Sequence, residues 1–228
     1  MSAGTIRLTG EHRESTLVGM QTKHAPTVIL ANGQFPSAAA PCEALRSAER
    51  IVCCDGAAAK LAAEGFEPDW VVGDLDSLDG AARSRYADRL VRVDEQETND
   101  LSKAFRFCVS RGWLDVAILG ATGLREDHTL GNLSLLVDFA REAAVALLTD
   151  TGFFTPVLAS SRLPSTAGQQ VSIFSFDPEV RVRSDGLVYP LEGVRFTRWW
   201  RAALNEACGD AFELTFEGGP LLVFQTYR

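Results

Sequence analysis

The sequence lacks the patterns that mark membrane and secreted proteins. No apolar run approaches the roughly 20 residues that a membrane-spanning helix needs. The first 24 residues are polar and contain no long hydrophobic segment, so we expect no signal peptide and interpret residues 1–24 as a loose N-terminal extension. These features favour a cytoplasmic protein.

Cysteine is too sparse and too irregularly spaced to form a framework. The five cysteines include no Cys-x-x-Cys pair and no spacing typical of a zinc site. Their odd number, in a chain of 228 residues, argues against a disulfide scaffold. Cys53 and Cys54 stand in an apolar run, and we predict that both are core residues.

Basic residues are fewer than acidic ones, with 22 Lys and Arg against 30 Asp and Glu. The formal net charge of −8 argues against a general nucleic-acid-binding role, because phosphate backbones require basic surfaces. An acidic protein can still bind a phosphorylated substrate, because carboxylates bind Mg²⁺ and Mg²⁺ binds phosphates. The P-loop motif and the GxGxxG motif are absent, so phosphates must be held by another arrangement.

Short apolar runs alternate with helix-compatible segments through the first two thirds of the chain. Six of these runs are predicted strands: "TVILAN", "RIVCCDG", "DWVVGD", "LVRVD", "DVAILGA" and "AVALLTD". The alternation predicts an α/β fold with a mostly parallel, Rossmann-like sheet flanked by helices. In such sheets ligands bind beyond the carboxyl ends of the strands.

The pattern changes after about residue 155, where short β-type runs are separated by Gly, Pro and Asp. This pattern predicts a small antiparallel β-sandwich. We place the boundary within residues 151–164, which gives an α/β domain over residues 25–152 and a sandwich domain over residues 153–228.

Acidic side chains follow the predicted strands in four clusters. The clusters are Asp55, then Asp74 and Asp76 before Ser77, then "DEQETND" ending at Asp100, then "GATGLREDH" with Asp127 and His128. Carboxylates that crowd together repel each other unless a cation neutralises them or a pKa rises. Oxygen ligands of this kind suit Mg²⁺, and the nearby cations Lys103 and Arg125 could contact phosphate oxygens.

Each of these residues also has a simpler interpretation. Asp74 or Asp76 alone could start a turn, and Asp100 or Asp127 could be favoured by a helix N-terminus. Asn32 with Gly33 could be a turn, Lys103 could lie on a polar helix face, and His128 could only orient Asp127. The Trp199–Trp200 pair is more often sandwich core than part of a ligand site. The coincidence of four acidic clusters at one sheet edge nevertheless predicts a metal site.

Four stretches, in order, resemble the thiamine pyrophosphokinase (thiamin diphosphokinase) family: "CDGAAAKL", "PDWVVGDLDSL", "DEQETNDLSKAFRF" and "GATGLREDHTLGNLSLL". The resemblance runs from about residue 27 to the C-terminus. It implies transfer of a diphosphoryl group from ATP to the hydroxyl of thiamine, giving thiamine diphosphate and AMP, with Mg²⁺. It also implies a homodimer whose thiamine site lies at the subunit interface.

The resemblance also implies roles for residues at matching positions. Asp74, Asp76 and Asp100 would form the metal and diphosphate centre, and Asp127 and Arg125 would complete the catalytic set. The implied nucleotide- and phosphate-binding residues are Asn32, Asp55, Ser77, Thr98, Lys103 and His128, and the implied thiamine-binding residues are Asn205, Trp199 and Trp200. The chain departs from the family pattern at Ala57, where a glycine is common, and at Leu204, where the family has a serine.

Three other functions fit part of the pattern. A related Mg²⁺-dependent diphosphokinase could act on another alcohol, such as a pterin hydroxymethyl group, although the β-rich C-terminal part favours thiamine. A non-catalytic thiamine or nucleotide sensor could keep the fold, but it would not need the complete acidic set. The aspartate pair alone would also permit Mg²⁺-dependent hydrolysis of phosphate esters.

Overall fold

The computed structural model describes residues 27–227, which form fourteen strands and five α-helices. The strands are β1 (Thr27–Leu30), β2 (Arg50–Cys54), β3 (Trp70–Gly73), β4 (Leu90–Arg92), β5 (Asp115–Leu119), β6 (Ala144–Leu148), β7 (Gly152–Val157), β8 (Ser161–Pro164), β9 (Gln170–Phe174), β10 (Arg181–Asp185), β11 (Glu192–Arg195), β12 (Ala202–Glu206), β13 (Ala211–Glu217) and β14 (Leu221–Thr226). The helices are α1 (Ala39–Ser47), α2 (Ala57–Ala63), α3 (Gly80–Arg85), α4 (Asp100–Ser110) and α5 (Glu126–Phe139), with one 3₁₀ turn at Ala87–Arg89.

The first of two compact units comprises, within the described chain, residues 27–135 and Glu142–Asp150. Its strands lie in the order β4-β3-β2-β1-β5-β6, and every pairing between these neighbours is parallel. The chain builds outward from β1 in one direction through β2, β3 and β4, and then in the other through β5 and β6. The boundary between β1 and β5 is therefore the point where the winding direction reverses, which is where open α/β sheets bind ligands.

Buried apolar side chains explain why these segments form strands. All four residues of β1 and all five of β6 are buried, as a sheet covered on both faces requires. Cys53 and Cys54 in β2 are buried among them, which confirms the prediction that they are core residues. Burial raises the pKa of both thiols, so both stay protonated at neutral pH.

Helix α4 shows how local sequence determines both ends of a helix. The Asn99 side chain caps its N-terminus by accepting a hydrogen bond from the Ser102 amide. Gly112 lies just beyond its C-terminus with a φ of +74°, a left-handed conformation that glycine adopts without strain. The helix buries one apolar face, made by residues spaced three or four apart: Leu101, Ala104, Phe105 and Cys108.

The second unit comprises Leu136–Arg141 and the chain from Thr151 onward. Strands β12, β9, β14 and β7 pair in that order, and β11, β10, β13 and β8 form a four-stranded sheet, with antiparallel pairing throughout. In β13, buried Phe212 and Leu214 alternate with exposed Glu213 and Thr215, so one face of that sheet is covered.

The prediction of an α/β fold with a large sheet flanked by helices, followed by antiparallel sheets, is confirmed. Residues 151–164, where we placed the domain boundary, contain strands β7 and β8, which the sequence pattern did not identify. The prolines Pro156 and Pro164 interrupt the β-type sequence pattern of these two strands. The predicted extension over residues 1–24 lies outside the described residues.

No helix in residues 27–227 combines the length and the apolarity that crossing a bilayer requires.

Replacing Phe105 with alanine tests the core of the first unit. Because this side chain is buried on α4, we expect Phe105→Ala to lower the free energy of unfolding by about 3–5 kcal/mol. Phe107→Ala on the same helix is the matched control, since its ring is partly exposed and packs against Trp70, Trp113 and Arg111. Urea denaturation followed by circular dichroism measures both losses, and an equal or larger loss for Phe107→Ala would contradict this description of the core.

Candidate functional site

A cavity of about 290 Å³ opens beyond the carboxyl ends of β1 and β5, at the reversal point of the sheet. Its lining includes six residues that matter below: Asn32, Gly33, Asp100, Arg125, His128 and Asn132. Of these, Asn32, Asp100, Arg125 and His128 were predicted to be site residues from the sequence. The structure therefore brings side chains that follow three different strands to one concave surface.

The loops after β1 and β5 are joined backbone to backbone beneath this cavity. The Gly33 amide donates to the Gly120 carbonyl at 2.6 Å, and the Gln34 amide donates to the Thr122 carbonyl at 2.9 Å. A Cβ atom on Gly33 would lie 2.3 Å from the Gly120 oxygen, which no side chain could tolerate. Gly33 is thus required by close approach of two loops, beyond its value as a turn residue.

Lys60 on α2 holds the Asn32–Gly33 loop and was not found from the sequence. Its ammonium group donates to the carbonyl oxygens of Asn32, at 2.9 Å, and Gly33, at 2.7 Å. Partial burial lowers the pKa of this ammonium group. Its only sequence signal is that it is the single cation in an alanine-rich helix, and such a residue is usually read as a solubilising surface charge.

Two asparagines that the sequence reading missed connect three elements of the site. Asn132 on α5 donates from its side-chain nitrogen to the Ala121 carbonyl at 2.8 Å. Its side-chain oxygen accepts from Asn99, the residue that caps α4, at 2.9 Å. The start of α4, the middle of α5 and the loop after β5 are therefore fixed to each other. A polar amide within the apolar stretch of α5 is the signal that could have identified Asn132.

Asp55 lies at the end of β2 and is buried, with 1% of its surface exposed. Its Oδ2 accepts from the Ser77 amide at 3.1 Å, while its Oδ1 is buried without a hydrogen-bond partner among the described residues. Burial, aided by the nearby charges of Asp100 and Asp74, raises the pKa of this carboxyl. A buried carboxylate oxygen without a donor has the chemistry of a cation ligand.

Asp74 and Asp76 occupy a tight loop after β3. The Asp76 amide donates to Asp74 Oδ1 at 3.2 Å, and this hydrogen bond is the main reason that the pKa of Asp74 is lowered. Between them, Leu75 adopts a left-handed conformation with a φ of +67°. The carboxylate of Asp76 is exposed at the surface of this loop.

Asp100 begins α4 and faces the same region. Lys103 is buried, one turn along the helix, and its ammonium group contacts Asp100 Oδ1 at 3.3 Å. Gly73, at the end of β3, shows how close the acidic residues lie: an added Cβ would meet Asp55 Cβ at 2.8 Å and Asp100 Oδ1 at 3.5 Å. The predicted carboxylates Asp55, Asp74 and Asp100 therefore surround one point of the sheet edge.

The donor chemistry of this cluster fits Mg²⁺. Carboxylate oxygens are the ligands that Mg²⁺ prefers, and Asp55 Oδ1 has no other partner among the described residues. Within residues 27–227, however, no three His, Cys, Asp or Glu side chains are gathered closely enough to form a finished metal site. The structure thus brings Asp55, Asp74 and Asp100 to one edge of the sheet, while Asp76 is exposed on the loop after β3. A bound cation would have to draw these carboxylates closer together.

Asp127 differs from the other predicted acidic residues because its carboxylate is paired with an arginine. Arg125 Nε donates to Asp127 Oδ1 at 3.0 Å, and the His128 amide donates to the same oxygen at 2.9 Å. The hydrogen bonds from Arg125 are the largest cause that lowers the pKa of Asp127 to about 2. The structure therefore pairs Asp127 with Arg125 and does not place it as a ligand among the carboxylates of Asp55, Asp74 and Asp100.

Thr98 and Ser77, both predicted to contact phosphate, have clear local roles. The Thr98 hydroxyl donates to the Glu95 carboxylate and accepts from Arg106 Nη2 at 2.6 Å. Ser77 contributes its backbone amide to Asp55. These contacts shape the loops around the carboxylates, and neither side chain lines the cavity described above.

The predicted thiamine-binding residues all lie in the second unit. Asn205 is buried, and its side chain accepts from the Tyr189 amide at 3.1 Å and donates to the Tyr189 carbonyl at 2.7 Å. Its amide group therefore fixes the neighbouring loop. Trp199 and Trp200 are 45% and 54% exposed, so the alternative interpretation of this pair as sandwich core is wrong. Trp199 stacks on Phe176 with ring planes 12° apart.

Leu204 occupies the position at which the related family has a serine, and it is unusual in both its exposure and its backbone conformation. Its side chain is 81% exposed, and its φ is +60°, in a region that leucine rarely adopts. Its amide donates to the Ser172 hydroxyl at 3.0 Å, across the irregular pairing of β12 and β9. An exposed leucine held in this conformation points to a contact surface.

Two family models match the chain in succession. Residues 42–148 match the family described as thiamin pyrophosphokinase, catalytic domain, and residues 152–224 match thiamin pyrophosphokinase, substrate-binding domain. Together these matches cover most of the chain and join within a few residues of the division between the two compact units.

A relative from Oryza sativa subsp. japonica, thiamine pyrophosphokinase 1, is 30% identical over 118 residues, 47% of this chain and 42% of that protein. Thiamin pyrophosphokinase 1 from Caenorhabditis elegans is 27% identical over 109 residues, 44% of each chain. The matches thus span less than half the length of these curated relatives.

Solved structures share the fold over nearly the whole chain. Thiamin pyrophosphokinase from Candida albicans superposes with a TM-score of 0.77 at 16% identity, covering 93% of this chain and 92% of that one. The enzyme of the same name from Geobacillus thermodenitrificans superposes with a TM-score of 0.72 at 22% identity, covering 89% and 97%.

The ion pair at the start of α5 predicts an unusual titration. In the Arg125→Gln variant we expect the pKa of Asp127 to rise from about 2 toward its ordinary value of 3.8, because the donors that stabilise the carboxylate are removed. The carboxyl carbon resonance of Asp127, followed by NMR between pH 1.5 and 6, measures this change. Glu126→Gln is the control and should leave the titration of Asp127 unchanged. A wild-type Asp127 that titrates near 3.8 would contradict the ion pair.

Proposed function

The chain belongs to the thiamin pyrophosphokinase family, and we propose that it transfers the diphosphoryl group of ATP to the hydroxyl of thiamine, giving thiamine diphosphate and AMP. The observation that carries this proposal is the convergence of Asp55, Asp74 and Asp100 at one edge of the sheet, beside the cavity at its reversal point. An acidic cluster next to a cavity of this kind suits a substrate that arrives with a divalent cation.

We assign the nucleotide to the first unit. The finer fold prediction, a mostly parallel and Rossmann-like sheet, supports this assignment, because such sheets bind nucleotides beyond the carboxyl ends of their strands. The predicted domains keep their roles in the proposal: residues 25–152 bind the nucleotide and carry the catalytic groups, and residues 153–228 bind thiamine. Asn32 and His128, which line the cavity, would contact the nucleotide.

Asp74, Asp76 and Asp100 are the residues that would hold Mg²⁺, with Asp55 beside them. When bound, Mg²⁺ would neutralise the repulsion between these carboxylates and the phosphates of ATP. The hydrogen bonds from the amides of Asp76 and Ser77 tie this loop to Asp74 and Asp55 before the substrate arrives. Such preorganisation lowers the cost of binding a charged ligand.

The remaining charged residues would stabilise the transferring group. Lys103 is buried beside Asp100, and Arg125 lines the cavity, so both can donate to phosphate oxygens. Arg125 already pairs with Asp127, and a phosphate would share the guanidinium group with that carboxylate. Ser77 and Thr98 would support the phosphate-facing loops. The attacking hydroxyl must lose a proton, and Asp100 is our first choice of acceptor, with Asp76 the second.

We assign thiamine to the second unit, with Trp199, Trp200 and Asn205 in its site. The exposed faces of the tryptophans suit the cationic thiazolium ring, and Asn205 would act by fixing the loop at Tyr189. We further propose a homodimer with the thiamine site at the subunit interface, located in the cytoplasm. The exposed apolar side chains of the second unit support the dimer: Phe176, Val188, Tyr189, Trp199, Trp200 and Leu204.

The comparisons do not favour the other candidate functions. A pterin-type diphosphokinase would not be expected to match the thiamin pyrophosphokinase substrate-binding domain over residues 152–224. A sensor without turnover would not need the carboxylates of the first unit to converge. We therefore retain thiamine as the acceptor alcohol.

Replacing Asp76 with asparagine tests the proposed metal role. Because this change removes the charge and keeps the shape, we expect AMP formation from ATP and thiamine to fall by roughly 10²–10³-fold. The assay measures AMP by chromatography in the presence of Mg²⁺. Asp88→Asn, an exposed aspartate on the 3₁₀ turn, is the matched control and should retain full activity. Near-normal activity of the Asp76→Asn variant would remove this residue from the centre.

Replacing Leu204 with aspartate tests the proposed dimer. A negative charge on this exposed leucine should disfavour an apolar interface while preserving the fold, since aspartate tolerates a left-handed backbone. Sedimentation velocity should show a dimer for the native chain and a monomer for Leu204→Asp, with Glu213→Gln remaining dimeric. A native chain that sediments as a monomer at micromolar concentration would contradict the dimer.

A further inference from the structure

We propose that Arg83 is a positioning residue, which holds the loop of residues 74–78 in the conformation that presents Asp74 and Asp76 to the metal and diphosphate. The inference rests on the proposed function for its consequence in catalysis. The contacts on which it depends are independent of that function.

The loop contains a backbone conformation that needs support. Leu75 has a φ of +67°, and a side chain with a Cβ atom is strained in this left-handed region. Neither glycine nor asparagine, the residues that adopt it readily, stands at this position. A conformation of this kind persists only where surrounding contacts impose it. The side chain of Leu75 is itself buried, which anchors one side of the loop.

The amides of the loop are held by carboxylates. The Asp76 amide donates to Asp74 Oδ1 at 3.2 Å, and the Ser77 amide donates to Asp55 Oδ2 at 3.1 Å. These two bonds attach the loop to the acidic cluster. They use acceptors that a bound cation would also attract, so they cannot by themselves keep the loop fixed during binding.

The carbonyls of the loop are held by Arg83. Its Nη2 donates to the Leu75 carbonyl at 2.5 Å, and its Nε donates to the Leu78 carbonyl at 3.1 Å. The guanidinium group thereby spans the loop from the strained residue to its last residue. The planar arrangement of its donors allows both bonds at once, whereas the single ammonium group of lysine lacks this fork geometry.

Helix α3 places the Arg83 side chain within hydrogen-bonding distance of the loop of residues 74–78. Asp79 caps the helix by accepting from the Ala82 amide at 2.7 Å, and the Arg83 amide donates to the Asp79 carbonyl at 2.9 Å. The helix follows the loop directly, so Arg83 reaches back over the residues that it holds. Loss of this side chain would leave the Leu75 carbonyl with a weak 3.4 Å contact from the Leu78 amide. Leu75 could then relax to a negative φ and turn Asp74 and Asp76 away.

The experiment compares Arg83→Met and Arg83→Lys with Arg85→Met in the full-length protein. Arg85 lies on the same helix and is exposed, as Arg83 is, but it pairs with Glu67 and not with the loop, so Arg85→Met is the matched control. Mn²⁺ binding without nucleotide is measured by electron paramagnetic resonance. Hydrogen exchange of the amides of residues 75–78 is measured by mass spectrometry, and kcat and KM are measured for ATP and thiamine.

For Arg83→Met we expect Mn²⁺ affinity and kcat to fall roughly 10- to 100-fold, the usual effect of removing a group that orients metal ligands. The loop amides should exchange faster, and the KM for thiamine should stay unchanged. Arg83→Lys should show the same changes to a smaller degree, which keeps the test decisive if Arg83→Met does not fold. Arg85→Met should match the native chain in all three measurements.

Unchanged exchange of the loop amides together with unchanged Mn²⁺ affinity in both Arg83 variants would overturn the inference. Faster exchange and weaker Mn²⁺ binding in a protein whose native form produces no AMP from ATP and thiamine would support the positioning role and refute the proposed function. The experiment therefore distinguishes failure of the positioning role of Arg83 from failure of the proposed function.

Discussion

Mutual repulsion among carboxylates is the constraint on which the rest of the site depends. Asp55, Asp74 and Asp100 meet at the end of β3, and one buried oxygen of Asp55 has no hydrogen-bond partner among the described residues. The raised pKa of Asp55 and the lowered pKa of Asp74 show two neighbouring carboxyl groups driven apart by their environments. Repulsion in such an arrangement lowers the stability of the protein. A divalent cation with a phosphate ligand would relieve this repulsion, and the relief would add to the free energy of binding. The nearby cations Lys103 and Arg125 already have acidic partners, Asp100 and Asp127, so they offset the repulsion only in part.

The parallel strands create this constraint, and glycines make it geometrically possible. The carboxyl ends of β1, β2, β3 and β5 lie at one edge, which brings together residues far apart in the chain. At that edge Gly33 and Gly73 each approach a neighbouring residue more closely than a Cβ atom would allow, and a Cβ atom on Gly56 would displace the Asn32 side chain. Backbone contacts between the loops then fix the cavity, and Lys60 and Asn132 add hydrogen bonds to loop carbonyls. The second unit contributes a different surface, in which exposed rings and the left-handed Leu204 stand where a ligand or another subunit could bind.

Apolar runs and the residues that follow them were enough to predict the six strands of the first unit and the acidic clusters at their ends. The same pattern could not identify Lys60, Arg83 or Asn132. Each of these side chains donates to backbone carbonyl groups of a distant or neighbouring loop, and a sequence does not show which carbonyl groups a side chain will reach. The pattern also did not identify β7 and β8, in which Pro156 and Pro164 interrupt the β-type pattern. It grouped Asp127 with the other carboxylates, although Arg125, two residues earlier, is close enough to pair with it. The exposure of Trp199 and Trp200 also depends on tertiary packing that composition does not specify.

A crystal structure with Mg²⁺, thiamine and a non-hydrolysable ATP analogue tests the central claim most directly. We predict a cation bound by oxygens of Asp74, Asp76 and Asp100, with the diphosphate of the analogue bound to the same cation and the nucleoside in the cavity between the ends of β1 and β5. A complex in which the analogue binds elsewhere, or in which these three carboxylates point away from one another and contact no shared ion, would contradict the account.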